Sequence, residues 1–275
     1  SRRPAAEIRR RLPSMYHQFM ELAGVDITTE PMEVGPTCHY VMGGVRVDAD
    51  STATTAPGLF AAGEVAAGMH GSNRLGGNSL SDLLVFGRRA GVGAAEFALG
   101  RPSPVLVDGA EVDAAVTAAT AAFDRDTGEN PYAVHHDLQT TMQELVGIIR
   151  TGAELEAALG RLEELEERAK RVAVAGGRRY NPGWNLSTDL PAMLAVARCT
   201  TQGAINRTES RGGHTRDDCP KPTDEMGRVN FVQRIRDRAA HDGAGGTPSV
   251  RHIDVGPEPL PVIPDELRAL LEEAV

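Results

Sequence analysis

Between residues 63 and 79 the chain sets Glu64, His70, Asn73, Arg74, Asn78 and Ser79 among glycines, in the run GEVAAGMHGSNRLGGNS. Glycine lets a backbone come close to a ligand and adopt φ > 0 where a turn needs it. A helix that starts where such a loop ends offers unpaired N–H groups and partial positive charge. Together these favour a bound anion, or a ring that becomes anionic on reduction. Arg74, on the same loop, can grip a carboxylate with both prongs of its guanidinium. Glu64 falls at the carboxyl end of a short apolar strand, where acidic residues accept ribose-type hydroxyls. His39 is a further candidate. A lone histidine is more often a hydrogen-bonded core residue, but here it stands in HYVMGG, where Gly43 and Gly44 allow close backbone approach. His70 either neighbours the ligand or caps the loop, and the capping reading is preferred.

The elements that must position these residues follow from pattern. An apolar strand at 58–62 leads into the loop, Asn78-Ser79 supply a helix cap, and an apolar run from Leu80 continues as helix towards Leu99. Short strands are expected at 39–42 and 45–47, with a turn through 48–53. Upstream, residues 1–25 read as an amphipathic helix in which Pro13 opens a second segment. Residues 26–36 are an extended connector. A Pro/Ser linker at 101–104 separates this part from helices expected at 109–124, 131–150, 153–175 and 188–205. The third is striped with Glu-to-Lys/Arg pairs for about three heptads, which suits a bundle helix better than a coiled coil. Asn130-Pro131 and Asn181-Pro182-Gly183 are turn or cap signals, and Trp184 anchors a loop on the bundle.

The run 207–216, RTESRGGHTR, places three arginines and His214 beside two glycines. It could bind phosphate or carboxylate, or form an ion-pair knot with Glu209, Asp217 and Asp218, and the structural reading is favoured. Beyond 224 the chain is polar and strand-like, with 249–255 expected to pair with 228–232 around a tip at 242–247. A proline-rich connector then leads to a helix at 264–274.

A length of 275 residues suffices for one large or two small domains. Aromatic residues make up 4%, so the core must rest on Leu, Val, Ala and Met. The net charge of −9 argues against a nucleic-acid partner. No apolar run reaches the roughly 18 residues of a membrane span. Cys38, Cys199 and Cys219 are scattered without a CxxC, so neither a disulfide framework nor an iron–sulfur or zinc site is expected. The chain reads as cytoplasmic, with docking on a membrane complex through another subunit left open.

The run GEVAAGMHGSNRLGGNSLSDLLVFGRRAG resembles the flavin-contacting segment of the succinate dehydrogenase/fumarate reductase flavoprotein subunit family. PTCHYVMGGVRVD at 36–48 resembles that family's substrate-histidine motif, and NRTESRGGHTRDDCP at 206–220 a segment of its C-terminal region. The three stand in the family's order. The resemblance implies an α/β plus α fold: the remainder of an FAD-binding α/β domain with a glycine-rich loop, a helical bundle, and a small C-terminal α+β tail. It implies the end of a capping domain at 1–38, the C-terminal part of the FAD-binding domain at 39–104, the bundle at 105–206 and an extension at 207–275. His39 and Arg74 would bind the dicarboxylate substrate. Glu64 would hold the ribityl chain of FAD, and Asn78, Ser79 and Leu80 would meet the flavin ring at the helix start. The implied reaction interconverts succinate and fumarate. Its electrons would pass to an iron–sulfur subunit, and through it to a membrane anchor.

A GxGxxG dinucleotide-binding unit does not occur in the chain, and the family's proton-shuttle arginine has no counterpart in a matching motif. The expectation is therefore the C-terminal portion of such a subunit, inactive by itself and completed by an N-terminal half. Part of an L-aspartate oxidase and a non-catalytic assembly module are the alternatives. The first is disfavoured by Leu75-Gly76-Gly77 in NRLGGNSLSDLLVFG.

Overall fold

Proline and asparagine decide where several helices begin, because the first helical residue has no use for its N–H and gains from a fixed φ. The computed structural model describes residues 3–33, 35, 37–101, 106–237 and 251–259. Most of the linker expected at 101–104, the tip expected at 242–247 and the C-terminal helix expected at 264–274 lie outside these. The chain divides into two compact units, residues 1–39 and 40–275. In the first, helix α1 (Ala5–Arg11) stops at Leu12, and Pro13 opens α2 (Pro13–Ala23), as its position in the sequence suggests. Helix α2 ends on Gly24, whose amide bonds back to the Met20 and Phe19 carbonyls.

In the second unit the strands expected over 40–62 do not form. Val45 makes a single parallel bridge to Ala66, and Ala53 a single antiparallel bridge to Phe60. Strands gain stability from ladders along both flanks. Here each stretch has one short neighbour, and the tight turn at Asp48, which accepts from the Ser51 backbone and hydroxyl, folds the segment back at once. The described residues are therefore mostly helical with little sheet, and the α/β character expected of this part is not seen in them as a sheet.

Helix α3 (Asn78–Leu99) leaves the glycine-rich loop, and α4 (Gly109–Thr120) follows, capped by Asp108. Helix α5 (Pro131–Leu145) carries Pro131 in its first turn behind the Asn130 cap. It ends before the expected residue 150, because Ile149–Arg150 is drawn out as strand β1, paired in parallel with β2 (Thr215–Arg216). Helix α6 (Gly152–Ala169) opens on a capping box between Thr151 and Glu154. It ends short of 175, since Val172 and Val174 leave the helix to bury their side chains in the bundle core. Helix α7 (Pro182–Asn206) starts earlier than expected, because Asn181 caps it and Pro182 begins it; Pro191 is accommodated within it.

Helices α5, α6 and α7 pack around Val134, Leu138, Leu162, Leu165, Leu190 and Leu194. Leu155, Ala158, Leu162 and Leu165 are the buried stripe of α6, and its glutamates face outward. Two of those glutamates are recruited: Glu166 takes both prongs of Arg198 on α7, and Glu163 lies 3.6 Å from the same guanidinium. Trp184 donates its indole N–H to the Ala119 carbonyl at 2.7 Å and packs on Phe123, which fastens the segment after α4 to the bundle.

The C-terminal hairpin forms in a different register from the expected one. Strand β3 (Val229–Asp237) pairs antiparallel with β4 (Arg251–Pro259), so 229–232 meet 256–259. Two of the four prolines of the expected connector, Pro257 and Pro259, are strand residues instead. They stand two apart on a strand with one neighbour among the described residues, an edge position of the kind that accommodates proline.

Candidate functional site

Arg74 stands on the loop between Gly71 and Gly77, and its guanidinium lies over the Tyr40 ring, 4.9 Å from the centroid. One terminal nitrogen donates to the Leu75 carbonyl at 3.0 Å. Its Nε is buried and has no hydrogen-bond partner among the described residues. A buried donor without a partner is costly, and a carboxylate that met it would remove that cost.

Beneath Arg74 lies a cluster that the sequence does not announce. The Tyr40 hydroxyl donates to Asp82 Oδ2 at 3.0 Å, and His70 Nε2 lies 3.2 Å from the same oxygen and 3.3 Å from the hydroxyl. Asp82, in the second turn of α3, is 4% exposed, and its other oxygen is buried without a partner among the described residues. Burial and the Asp82 carboxylate push the Tyr40 phenol above its usual range, so it remains a donor. His70 thereby ties the loop to α3. Tyr40 and Asp82 are 42 positions apart, and although each lies in a run that resembles the family, nothing in the sequence pairs them.

Glu64 lies in a single 3-10 turn (Gly63–Val65), not at the end of a strand. One of its oxygens accepts the Val41 N–H at 2.8 Å, and the other has no partner among the described residues. The expected cap at Asn78-Ser79 is corrected: Asn78 is already helical, and the cap position belongs to Gly77 at φ +85°. A side-chain cap needs an oxygen that can accept from the first turn, and glycine has none, so α3 begins without a side-chain cap. The Asn78 N–H donates to the Leu75 carbonyl at 3.1 Å, and the amides that follow it, at Ser79 and Leu80, meet no side-chain cap among the described residues; Leu80 is 69% exposed. His39 is the last residue of the first unit and is exposed.

The run 207–216 forms the expected ion-pair knot and also makes a contact that no sequence motif signals. Glu209 is fully buried and takes bonds from Arg207, Arg211 and the Thr223 N–H. Burial by itself would raise its pKa, but Arg211, Thr223 and Arg207 together hold it at about 2. Arg216 pairs with Asp218 through two bonds of 2.7 Å, which holds that carboxyl well below its usual range. His214, kept low in pKa by burial, donates Nε2–H to the Arg207 carbonyl at 3.0 Å. Asp217 takes no part in the knot through its side chain; its N–H donates to the Arg150 carbonyl. The unexpected contact is Gly213 N–H to the Ser72 carbonyl, 2.9 Å, with Gly212 at φ +60° pressed against the same carbonyl. The knot therefore braces the loop that carries Arg74.

Two family profiles match the chain: FAD binding domain over residues 2–80, and Fumarate reductase flavoprotein C-term over residues 135–265. The fumarate reductase flavoprotein subunit of Escherichia coli is 36% identical over 265 residues, covering 93% of this chain and 42% of that protein. The chain belongs to the succinate dehydrogenase/fumarate reductase flavoprotein subunit family. Another member, the succinate dehydrogenase flavoprotein subunit of Coxiella burnetii, is 34% identical over 241 residues, 84% of this chain and 41% of its own length. Among solved structures, Mycobacterium smegmatis Sdh1 in complex with UQ1 superposes with a TM-score of 0.85 at 52% identity, over 98% of this chain and 44% of that one. The chain spans about two fifths of the length of the curated relatives it matches.

FAD is the cofactor of this family, and the residues present fit part of it. The uncapped amides of α3 suit an electron-rich ring edge, the free oxygen of Glu64 suits a hydroxyl, and Leu80 offers apolar surface. No helix among the described residues is long and apolar enough to cross a membrane.

Proposed function

We propose that this chain is the C-terminal part of an FAD-dependent flavoprotein oxidoreductase that interconverts succinate and fumarate. The observation that carries this reading is Arg74, whose guanidinium is stacked on Tyr40 with a buried Nε unpaired, on the loop that leads into the open start of α3. A C4 dicarboxylate needs a strong donor for each carboxylate. Arg74 takes one, and His39 is assigned the other on its chemistry. Fixing both ends holds the carbon–carbon bond still for reaction. FAD, when bound, accepts or gives up the hydride. Ser79 and Leu80 would offer their amides to its ring, with Asn78 beside them at the helix start, and Glu64 would accept a hydrogen bond from a ribityl hydroxyl.

In this reading residues 1–38 close a capping domain, 39–104 belong to the FAD-binding domain, 105–206 are the bundle and 207–275 an extension. The remaining FAD contacts and the proton-shuttling group come from the N-terminal half of the flavoprotein, so this chain by itself does not turn over. An iron–sulfur subunit, and through it a membrane anchor on the cytoplasmic side, takes the electrons.

The test is Arg74→Lys in the FAD-loaded holoprotein. A point charge cannot reproduce the two-pronged grip, so flavin content is expected to hold while turnover with succinate is lost. Turnover retained within a factor of a few would remove Arg74 from the site. Glu64→Ala is expected to lower flavin content instead.

A further inference from the structure

We propose that Tyr40 and Asp82 are positioning residues for Arg74: the Asp82 carboxylate fixes the Tyr40 phenol, and the Tyr40 ring fixes the plane of the guanidinium. The inference rests on the reading that Arg74 takes a substrate carboxylate, and it concerns what aims that group. An arginine on a glycine-rich loop would ordinarily sample many rotamers, and every immobilised side chain costs entropy on binding. Here the guanidinium is held from two sides, by the ring 4.9 Å below it and by the Leu75 carbonyl at 3.0 Å. The ring is itself anchored, since the phenol donates to a carboxylate that α3 keeps 4% exposed. His70 packs edge-on against Tyr40, with centroids 5.3 Å apart, and shares the same oxygen, so the ring cannot swing away.

A purely structural core offers a weaker account of Asp82. Its Oδ1 is buried without a partner among the described residues, a cost that an apolar side chain in the same place would avoid. A carboxylate at that depth is understandable if the direction of the Tyr40 hydroxyl matters.

The experiment measures malonate binding to the FAD-loaded holoprotein by calorimetry, with flavin content and thermal midpoint as controls. Tyr40→Leu removes the ring and is expected to raise the malonate Kd roughly tenfold, the scale of a desolvated cation–π contact. If Tyr40 acts through Arg74, the same substitution in an Arg74→Lys background changes Kd by less than about twofold, because the coupled effect is already gone. Tyr40→Phe keeps the ring but cuts the tie to Asp82. It is expected to give an intermediate rise with unchanged flavin content, and Asp82→Ala, which removes the acceptor, a rise of similar size. The same tenfold factor in both backgrounds, or no change with Tyr40→Leu while Arg74→Lys weakens binding, overturns the positioning role alone. An unchanged Kd with Arg74→Lys overturns the substrate role of Arg74 and the inference with it. Should Tyr40→Leu fail to fold, Tyr40→Phe decides: no rise in Kd refutes the tie to Asp82.

Discussion

Gly212 is where the C-terminal run meets the loop that carries Arg74, and Gly212→Ala tests that brace directly. A Cβ built on Gly212 would stand 2.2 Å from the Ser72 carbonyl oxygen and 2.6 Å from its carbon. Both neighbours are backbone atoms, so no flexible tip can turn aside. The loop must yield by roughly 1 Å to restore an ordinary non-bonded contact. The residue is also at φ +60°, where an L side chain costs about 1–2 kcal/mol. Ser72 is two positions before Arg74, and a displacement of about 1 Å at a substrate-positioning group can lower turnover roughly a hundredfold. The variant is therefore expected to lose about two orders of magnitude in kcat/KM for succinate in the holoprotein, with flavin retained. Steady-state kinetics alongside a denaturant titration separate the two effects. A variant that is destabilised by about 1–2 kcal/mol yet keeps its kcat/KM would refute the view that 207–216 aims the loop, and leave it a stabilising contact only.

Other expectations follow from the bundle and the knot. Glu209 has its pKa lowered from 4.5 to about 2, so its contribution is complete above the unfolded value and is lost as pH falls from about 4.5 towards 2. That linkage amounts to roughly 3 kcal/mol at neutral pH, and Glu209→Gln should flatten the acid limb of a stability–pH profile measured by denaturant titration. Leu162 is fully buried among α5, α6 and α7, and Leu162→Ala should cost about 2–5 kcal/mol in the same assay. Thr151→Ala removes the capping box of α6 and should cost about 1 kcal/mol, with little change in flavin content.

Local chemistry is legible in the sequence, and long-range register is not. Pro13, Asn130-Pro131 and Asn181-Pro182 mark helix starts because the physics of a first turn is contained in two or three residues. The knot around Glu209 can be read because two of its partners, Arg207 and Arg211, stand two positions away on either side. Helix ends are harder: Val172 and Val174 read as two more helical residues until the core claims them. The expected strands over 40–62 fail for a related reason, since apolar alternation shows an inclination to pair and says nothing of whether a neighbour exists. Tyr40, His70 and Asp82 do not read as a cluster, because an aspartate within a helix reads as solvated and only the fold turns it inward.

The start of α3 shows how a small misreading of the sequence bears on chemistry. Asn78-Ser79 looks like a strong cap, and a cap of that kind would stabilise the helix by about 1 kcal/mol while consuming one of its free amides. Gly77 shifts the helix start one residue earlier and holds the cap position in a left-handed conformation. Glycine has no side chain with which to cap, so the amides that follow Asn78, whose own N–H meets the Leu75 carbonyl, remain available. Arg74 follows the same logic, because its Nε is buried without a partner while its ring platform and one terminal nitrogen are fixed. The two features forgo stability within one loop, and in each the unmet group is a donor. Donors left open at a helix start and on a stacked guanidinium suit an electron-rich ring and a carboxylate. That combination ties the proposed chemistry to the loop more closely than either residue would alone.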